Sequence, residues 1–557
     1  MSQKILGINP PSCDSFVSLL NKNNDGTVNA PENQSDAGLC HLPGLAAIGI
    51  CSMLVLAACG AETRIETETE SAGDANPNIV IFYIDDLGYG DVGSYGASGV
   101  ETPNIDSLAA RGVRFTDAHS SAATCTPSRY SLLLGEHGFR IEADILEGDA
   151  PLLIRPGRPT IASMLKRAGY ATGVVGKWHL GLGNGDLDWN GDISPGPLDI
   201  GFDYAFLLPA TGDRVPAVYV ENRAVVNLEP SDPMAISYSG KVGERPTGYE
   251  NPELLRFAAD PQHSDTIING VSRIGHMGGG ESALWVDEEF PDVFTDKAVQ
   301  FIRAHKDERF FLFHSFHDIH VPRLPHPRFA GASTMGPRGD AIAQVDWMIG
   351  EIIAELESLG IAGNTLLIFT SDNGPVLDDG YADQSVTLLG QHRPAGPFRG
   401  GKYSAYEAGT RVPTIVTWPD SVEASVSDAL VSQLDLYASL AALVGQNIAN
   451  REAIDSRDQL DAWLGRSNTG REFLLEESVG TLSLRRNDWK YILPFDGRSG
   501  LEWVAEDKDI EGGFVMTPQL YNLDSDIGEQ ANLAGQYPDL VEELDAEARR
   551  IFADTYQ

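Results

Sequence analysis

The sequence predicts an α/β protein with a large, mostly parallel or mixed sheet sandwiched by helices and a small C-terminal α+β subdomain. Three observations carry this. Short apolar runs rich in β-branched and aromatic residues recur at 79–84, 171–175, 310–315, 365–370 and 413–418. Unbroken runs of that kind suit strands buried on both faces. Stretches with helical spacing lie between them, at 159–169, 293–305 and 340–359. The last puts Ile342, Val345, Ile349, Ile352, Ile353 and Leu356 on one face. Beyond residue 432 the texture changes. A helix opens near Gln433, two short strand patterns follow at 483–485 and 490–493, and a helix closes the chain at 540–551.

The 557 residues divide into an N-terminal extension (1–60), a linker (61–77), a main domain (78–440) and the C-terminal subdomain (441–557). Residues 42–58 are uncharged and apolar and end in Leu56-Ala57-Ala58-Cys59-Gly60. The run falls short of the roughly 20 residues a membrane span needs, and it fits the apolar part of a secretory signal. Leu-Ala-Ala-Cys-Gly resembles a bacterial lipoprotein cleavage site, with Cys59 as the lipidated residue. The chain is therefore expected to be exported, as a periplasmic or cell-envelope lipoprotein of a bacterium. The acidic stretch after Cys59 has little to bury and reads as a tether.

The formal net charge is -40. It argues against binding nucleic acid or acidic membrane surfaces through net charge. An anionic substrate would need a local basic pocket, because the global field opposes it. Cysteines fall at 13, 40, 51, 59 and 125, so the folded body holds only Cys125 and relies on its core instead of disulfides.

Ligands of open parallel sheets gather at the carboxyl ends of the strands. Here the ends read Asp85-Asp86, Lys177-Trp178-His179, the segment from His317 to His320, and Asp372-Asn373-Gly374. A single acid at a strand end is an ordinary cap. Two pairs of oxygen ligands beside a lysine and histidines are more than capping requires. Asp85, Asp86, Asp372 and Asn373 offer only hard oxygen, which suits calcium, and magnesium less well, over zinc. Pro127 favours the first turn of a helix, Thr126 is a candidate cap, and Cys125 then sits at the positive helix end with Arg129 one turn on. The glycines of Arg399-Gly400-Gly401-Lys402 let the backbone carry Lys402 toward the same place.

Together these pieces resemble the type I, formylglycine-dependent sulfatases, which are arylsulfatase-like members of the alkaline phosphatase superfamily. The resemblance runs from Asp85-Asp86 through Cys125-Thr126-Pro127-Ser128-Arg129, Gly176-Lys177-Trp178-His179, His320, Asp372-Asn373-Gly374 and Lys402 to the tail at Leu520-Tyr521-Asn522-Leu523. It implies that a maturation enzyme oxidises Cys125 to formylglycine, which hydrates to a diol. One diol oxygen attacks sulfur, and loss of the other hydroxyl's proton expels sulfate and restores the aldehyde. Asp85, Asp86, Asp372, Asn373 and residue 125 would bind calcium. Arg129 and Lys177 would hold the diol, and His179 would accept its second proton. His320 would protonate the leaving alcohol, and Lys402 would bind sulfate. The implied substrate is a sulfate ester, of carbohydrate in the first instance.

Other readings stay open at this point. A phosphatase or phosphodiesterase of the same superfamily usually carries Thr or Ser as nucleophile and a His-rich zinc pair, which Cys125 and Asn373 oppose. A catalytically dead glycan-binding protein requires Cys125 to stay unmodified. His314, His317 and His326 compete with His320. Arg323 and Arg328 are equally suited to substrate or to salt bridges. Residues 186–192 and Asp213-Arg214 are candidates for shaping specificity.

Overall fold

The computed structural model describes residues 76–495, 497 and 501–553. The signal-like run, Cys59 and the tether up to residue 75 lie outside the described residues.

The first apolar run forms strand β1 (Asn78–Ile84), buried along its whole length. The other strands of the main sheet are β2 (Val113–Phe115), β3 (Ala171–Lys177), β4 (Tyr204–Leu208), β5 (Val220–Glu221), β6 (Ala224–Val225), β7 (Phe310–Ser315), β8 (Thr365–Ser371), β9 (Thr414–Thr417) and β10 (Ser425–Ser427). These ten strands lie in the order β10–β2–β9–β8–β1–β7–β3–β4–β5–β6. The middle, from β8 to β4, is parallel throughout. β9 runs antiparallel to β8, and β5 antiparallel to β4. The continuous apolar runs coincide with the strands covered on both faces, as burial of a parallel centre requires.

Helices flank the sheet in two groups. α1 (Pro103–Arg111), α4 (Phe290–Ala304) and α5 (Gly336–Ser358) pack on one another. α2 (Cys125–Leu134), α3 (Ile161–Arg167) and α6 (Leu436–Leu443) form the second group. The apolar face expected of α5 is buried at Ile342, Val345, Ile349, Ile352, Ile353 and Leu356. The helix starts before residue 340. Arg338 lies in its first turn and is buried against Asp91, with bonds of 2.8 and 2.6 Å.

A separate antiparallel sheet holds β11 (Leu474–Glu477), β12 (Leu482–Arg486), β13 (Trp489–Ile492) and β14 (Gln519–Asn522), with α7 (Pro538–Ala553) against β12 and β13.

Register delivers the strand ends to one level. Ile84 of β1 lies opposite Ser371 of β8, so Asp85 and Asp372 are each the next residue. Tyr83 lies opposite Ser315 of β7, and Ser315 opposite Gly176 of β3. Gly176 has φ +111°, and a Cβ there would fall 1.8 Å from the Ser315 carbonyl oxygen. Gly176→Ala is expected to cost about 3 kcal/mol or more, since backbone must move and an alanine dislikes that φ. The urea midpoint measures it, and an unchanged midpoint would refute this account of the β3–β7 contact.

Candidate active site

Cys125 is the first residue of α2 and is 1% exposed. The cap position belongs to Thr124, which has extended backbone and no side-chain cap bond. Thr126, the candidate cap, is instead inside the helix, and its hydroxyl donates to the His179 carbonyl at 3.1 Å. Pro127 is the third helical residue, so the helix begins two residues earlier than a proline-first reading places it. The Cys125 thiol lies 3.8 Å from Asp85 Oδ1. Burial pushes it up to about 12, although Lys177 and Lys402 pull the other way. The thiol therefore stays protonated at neutral pH and is a weak nucleophile as it stands.

Arg129 sits one turn along α2, on the same side as Cys125. Its Nε and Nη2 donate to Asp372 Oδ2 at 3.1 and 2.8 Å. Its Nη1 donates to Ser315 Oγ at 2.5 Å and to the Lys177 carbonyl at 3.3 Å. Lys177, the last residue of β3, places its ammonium on Asp85 Oδ2. Lys402 reaches Asp86 at 2.9 Å and Asp379 at 3.1 Å. The backbone that presents it packs tightly: its N–H bonds to the Pro375 carbonyl at 2.9 Å, and a Cβ on Gly401 would come 2.5 Å from that same oxygen.

The oxygen ligands converge as well. The Asp86 N–H donates to Asp372 Oδ1 at 3.2 Å, and Asn373 Nδ2 donates to Asp86 Oδ1 at 2.8 Å. Asp86 holds φ +59°, in the left-handed region. Burial, then repulsion from Asp372, raises Asp85 well above the usual carboxylate range. Burial also pushes Asp372 up, but Arg129 and Lys177 outweigh it and hold that carboxyl below its ordinary value. Asn373 Oδ1 is buried without a hydrogen-bond partner. Three buried carboxylates and an orphaned amide oxygen fit a hard divalent cation. Asp85, Asp86 and Cys125 offer ligand atoms within 4.8 Å of one another.

The histidines separate by their bonds. His179 places Nε2 3.0 Å from the Leu146 carbonyl, so that nitrogen carries the proton. Its Nδ1 is buried and unpaired. Burial, then Lys177, holds this imidazole well below its usual range. His320 donates from Nδ1 to the Val321 carbonyl at 2.8 Å and turns Nε2 toward Asp86 Oδ2 at 3.9 Å. Its rivals face elsewhere. His317 accepts the Gly212 N–H at 2.8 Å, His314 is wedged edge-on against Phe82 and Phe316, and His326 caps a short helix through the Arg328 N–H.

All ten residues singled out in the sequence thus lie at one set of strand ends. Arg323 and Arg328 do not join them. Arg323 is buried on Asp383 at 2.7 Å and on main-chain carbonyls, and Arg328 pairs with Asp292 at 2.7 Å. Within 186–192, Trp189 is buried. Asp213 is held well below the usual carboxylate range, since Arg214, His263 and His320 together outweigh its burial. Sequence reasoning missed Asp379. It is buried between Lys402, the Tyr403 hydroxyl (3.1 Å) and Lys508 (3.0 Å). Only the acid pair Asp378-Asp379 in a loop without periodicity hinted at it.

A largely parallel α/β sheet flanked by helices, with buried carboxylates, lysines and a helix-start cysteine gathered at its strand ends, matches the alkaline-phosphatase-like fold of sulfatases. The Sulfatase family profile matches residues 77–446. The N-acetylgalactosamine-6-O-sulfatase of Bacteroides thetaiotaomicron is 50% identical over 506 residues, covering 90% of this chain and 96% of that protein. Arylsulfatase A of Homo sapiens is 30% identical over 486 residues, covering 84% and 86%. A solved Bacteroides thetaiotaomicron structure from work on the metabolism of multiple glycosaminoglycans superposes with TM-score 0.84 at 51% identity, covering 86% of this chain and 99% of that one. The chain belongs to the sulfatase family and is an enzyme that hydrolyses sulfate esters.

Proposed function

We propose that this sulfatase removes sulfate from sulfated carbohydrate, with position 125 acting as formylglycine beside a bound calcium ion. The observation that carries this is the seating of one buried cysteine among Asp85, Asp372, Arg129, Lys177 and Lys402. The relative at 50% identity makes 6-O-sulfated N-acetylgalactosamine the first substrate to try. Hydrated formylglycine with calcium supplies an oxygen nucleophile and a polarised sulfuryl group.

The chain's own residues do the rest. Arg129 and Lys177 hold the side chain at 125 in place. His179 takes a proton at Nδ1, its one free nitrogen. Lys402 offsets the charge of the sulfate oxygens. His320, which burial and then Lys402 hold well below the usual imidazole range, gives a proton from Nε2 to the leaving oxygen once an incoming sulfate anion has favoured its protonated form. Asp213 and Arg214 would select the sugar. Because Cys125 is 1% exposed inside α2, a maturation enzyme must act before folding. Export by the 42–58 segment and a lipid anchor at Cys59 belong to the same proposal.

Two measurements test the reading. Peptide mass spectrometry across Cys125 should show sulfur replaced by oxygen with loss of two hydrogens; an intact thiol would sink it. Hydrolysis of N-acetylgalactosamine 6-sulfate should far exceed that of the 6-phosphate, and the reverse preference would point to a phosphatase. His320→Ala should lower kcat on the sugar sulfate by about 10²–10⁴-fold. It should cost far less on a nitrophenyl sulfate, whose leaving group needs no proton. Equal losses on both would remove His320 from the acid role.

A further inference from the structure

With a net charge of -40, few places on this protein should welcome an anion. Yet five arginines line a single cavity of about 290 Å³: Arg140, Arg451, Arg457, Arg471 and Arg550, with His137 among them. The cavity is remote from the active site. His137 lies just past the far end of α2, and the ten residues of that helix put about 15 Å between its ends.

The floor is rigid and buried. The side chains of Arg140 and Arg471 are 3% and 5% exposed. Arg140 grips Asp455 with bonds of 2.6 and 2.5 Å. Arg471 grips Asp435 with two bonds of 2.6 Å and donates to the Asp455 carbonyl at 2.5 Å. Such paired forks fix the guanidinium planes before any ligand arrives. Asp455, the acid in the lining, is already engaged by Arg140 and by the His137 N–H at 2.9 Å. His137 is 2% exposed, and its Nδ1 has no hydrogen-bond partner. An orphaned buried nitrogen is unfavourable, and a hydrogen bond to a ligand in the cavity would relieve that.

The rim is exposed. Arg550 pairs with Glu547 at 2.7 Å. Arg457 is exposed and uses its main-chain N–H on Asp435 at 2.8 Å. The volume sits at the lower edge of the range for small-ligand pockets, about 300–1,000 Å³. A lone ion would not fill it. A sulfated sugar unit would, with its anionic group on the floor. Guanidinium forks match the spacing of sulfate, phosphate and carboxylate oxygens.

We propose that this cavity is a second anion-binding site, separate from the catalytic one, which takes a tetrahedral oxyanion either free or carried on a sugar. The site does not depend on the chemistry at Cys125, so it stands or falls apart from the proposed reaction.

Equilibrium dialysis of the whole protein against labelled inorganic sulfate at low ionic strength tests it. A second equivalent of sulfate should bind beyond the one at the active site. The double variant Arg457→Glu, Arg550→Glu changes two exposed side chains. It should keep full activity on nitrophenyl sulfate, which shows that it folds, while its second equivalent weakens by about tenfold or more. Lys402→Ala should weaken only the first equivalent. Unlabelled galactose 6-sulfate, tested on the Cys125→Ala protein so that it survives, identifies the source. Displacement at lower concentration than sulfate marks a sugar-borne anion; equal displacement marks the free ion. Sulfate binding that the double variant leaves unchanged in stoichiometry and affinity would overturn the proposal.

Discussion

Cys125→Ala should lower kcat/KM for every sulfate ester by about 10⁴-fold or more while leaving the fold intact. The size follows from the role, because removing a covalent nucleophile costs about that much even when the rest of the site survives. The fold is spared because only one sulfur atom goes. The space it leaves lies at the start of α2, whose remaining residues stay buried. The stability cost should be about 1 kcal/mol, as for a small core truncation. Kinetics with a nitrophenyl sulfate and a urea titration measure the two halves separately. A variant that kept even a tenth of the activity would show that a water or another side chain attacks sulfur. The protonated thiol sharpens the test. A Cys125 pushed up to about 12 offers almost no thiolate at neutral pH, so native activity with an unmodified cysteine would be equally damaging.

Much of this molecule was legible because its central strands are buried on both faces. Val80, Ile81, Leu312, Phe313, Leu367 and Ile368 announce a parallel centre by continuous apolarity. Asp85, Asp86, Lys177, Asp372 and Asn373 could be found because they sit at the ends of such strands, whereas Cys125, Arg129 and Lys402 come from a helix and a glycine-rich segment. What escaped notice are features made by pairing across the chain. β11 ends in Glu476-Glu477, a poor strand signal, but Glu476 is buried against Lys490 of β13 at 3.4 Å and against His119 at 2.8 Å. β14 is half polar, and its Gln519 is buried on the Tyr406 and Tyr521 hydroxyls, each at 3.0 Å. Asp379 became visible only when Lys402 and Lys508, far apart in the sequence, met on it. Arg323 and Arg328 read alike as letters, and only burial on Asp383 or exposure on Asp292 tells them apart. A single sequence does not encode which charges will share a low-dielectric space, so ion pairs of long range are its weakest reading.

Arg129→Met tests one of those pairs and should destabilise the protein by about 3–5 kcal/mol at neutral pH. Both side chains of the Arg129–Asp372 pair are fully buried. Methionine fills much of the volume, so the cost is electrostatic. Asp372 loses its main counter-ion, and Ser315 Oγ and the Lys177 carbonyl lose donors. The pH dependence identifies the cause. In the native protein burial raises the Asp372 carboxyl, but Arg129 and Lys177 hold it below its ordinary value. A depressed carboxyl stabilises the fold above its unfolded pKa, about 3.9, and that support fades as pH falls through the lower folded value. Without Arg129, burial dominates and the carboxyl rises, so it takes up a proton sooner. The gap between native and variant should therefore be widest near pH 7 and should narrow as pH approaches about 4. Calcium should narrow it too, by supplying positive charge to Asp372, and a chelator should widen it. Urea midpoints at pH 7 and pH 5, with calcium and with chelator, give the comparison. A gap that ignores both pH and calcium would mean that Arg129 supports the fold by packing alone, with Asp372 paired elsewhere.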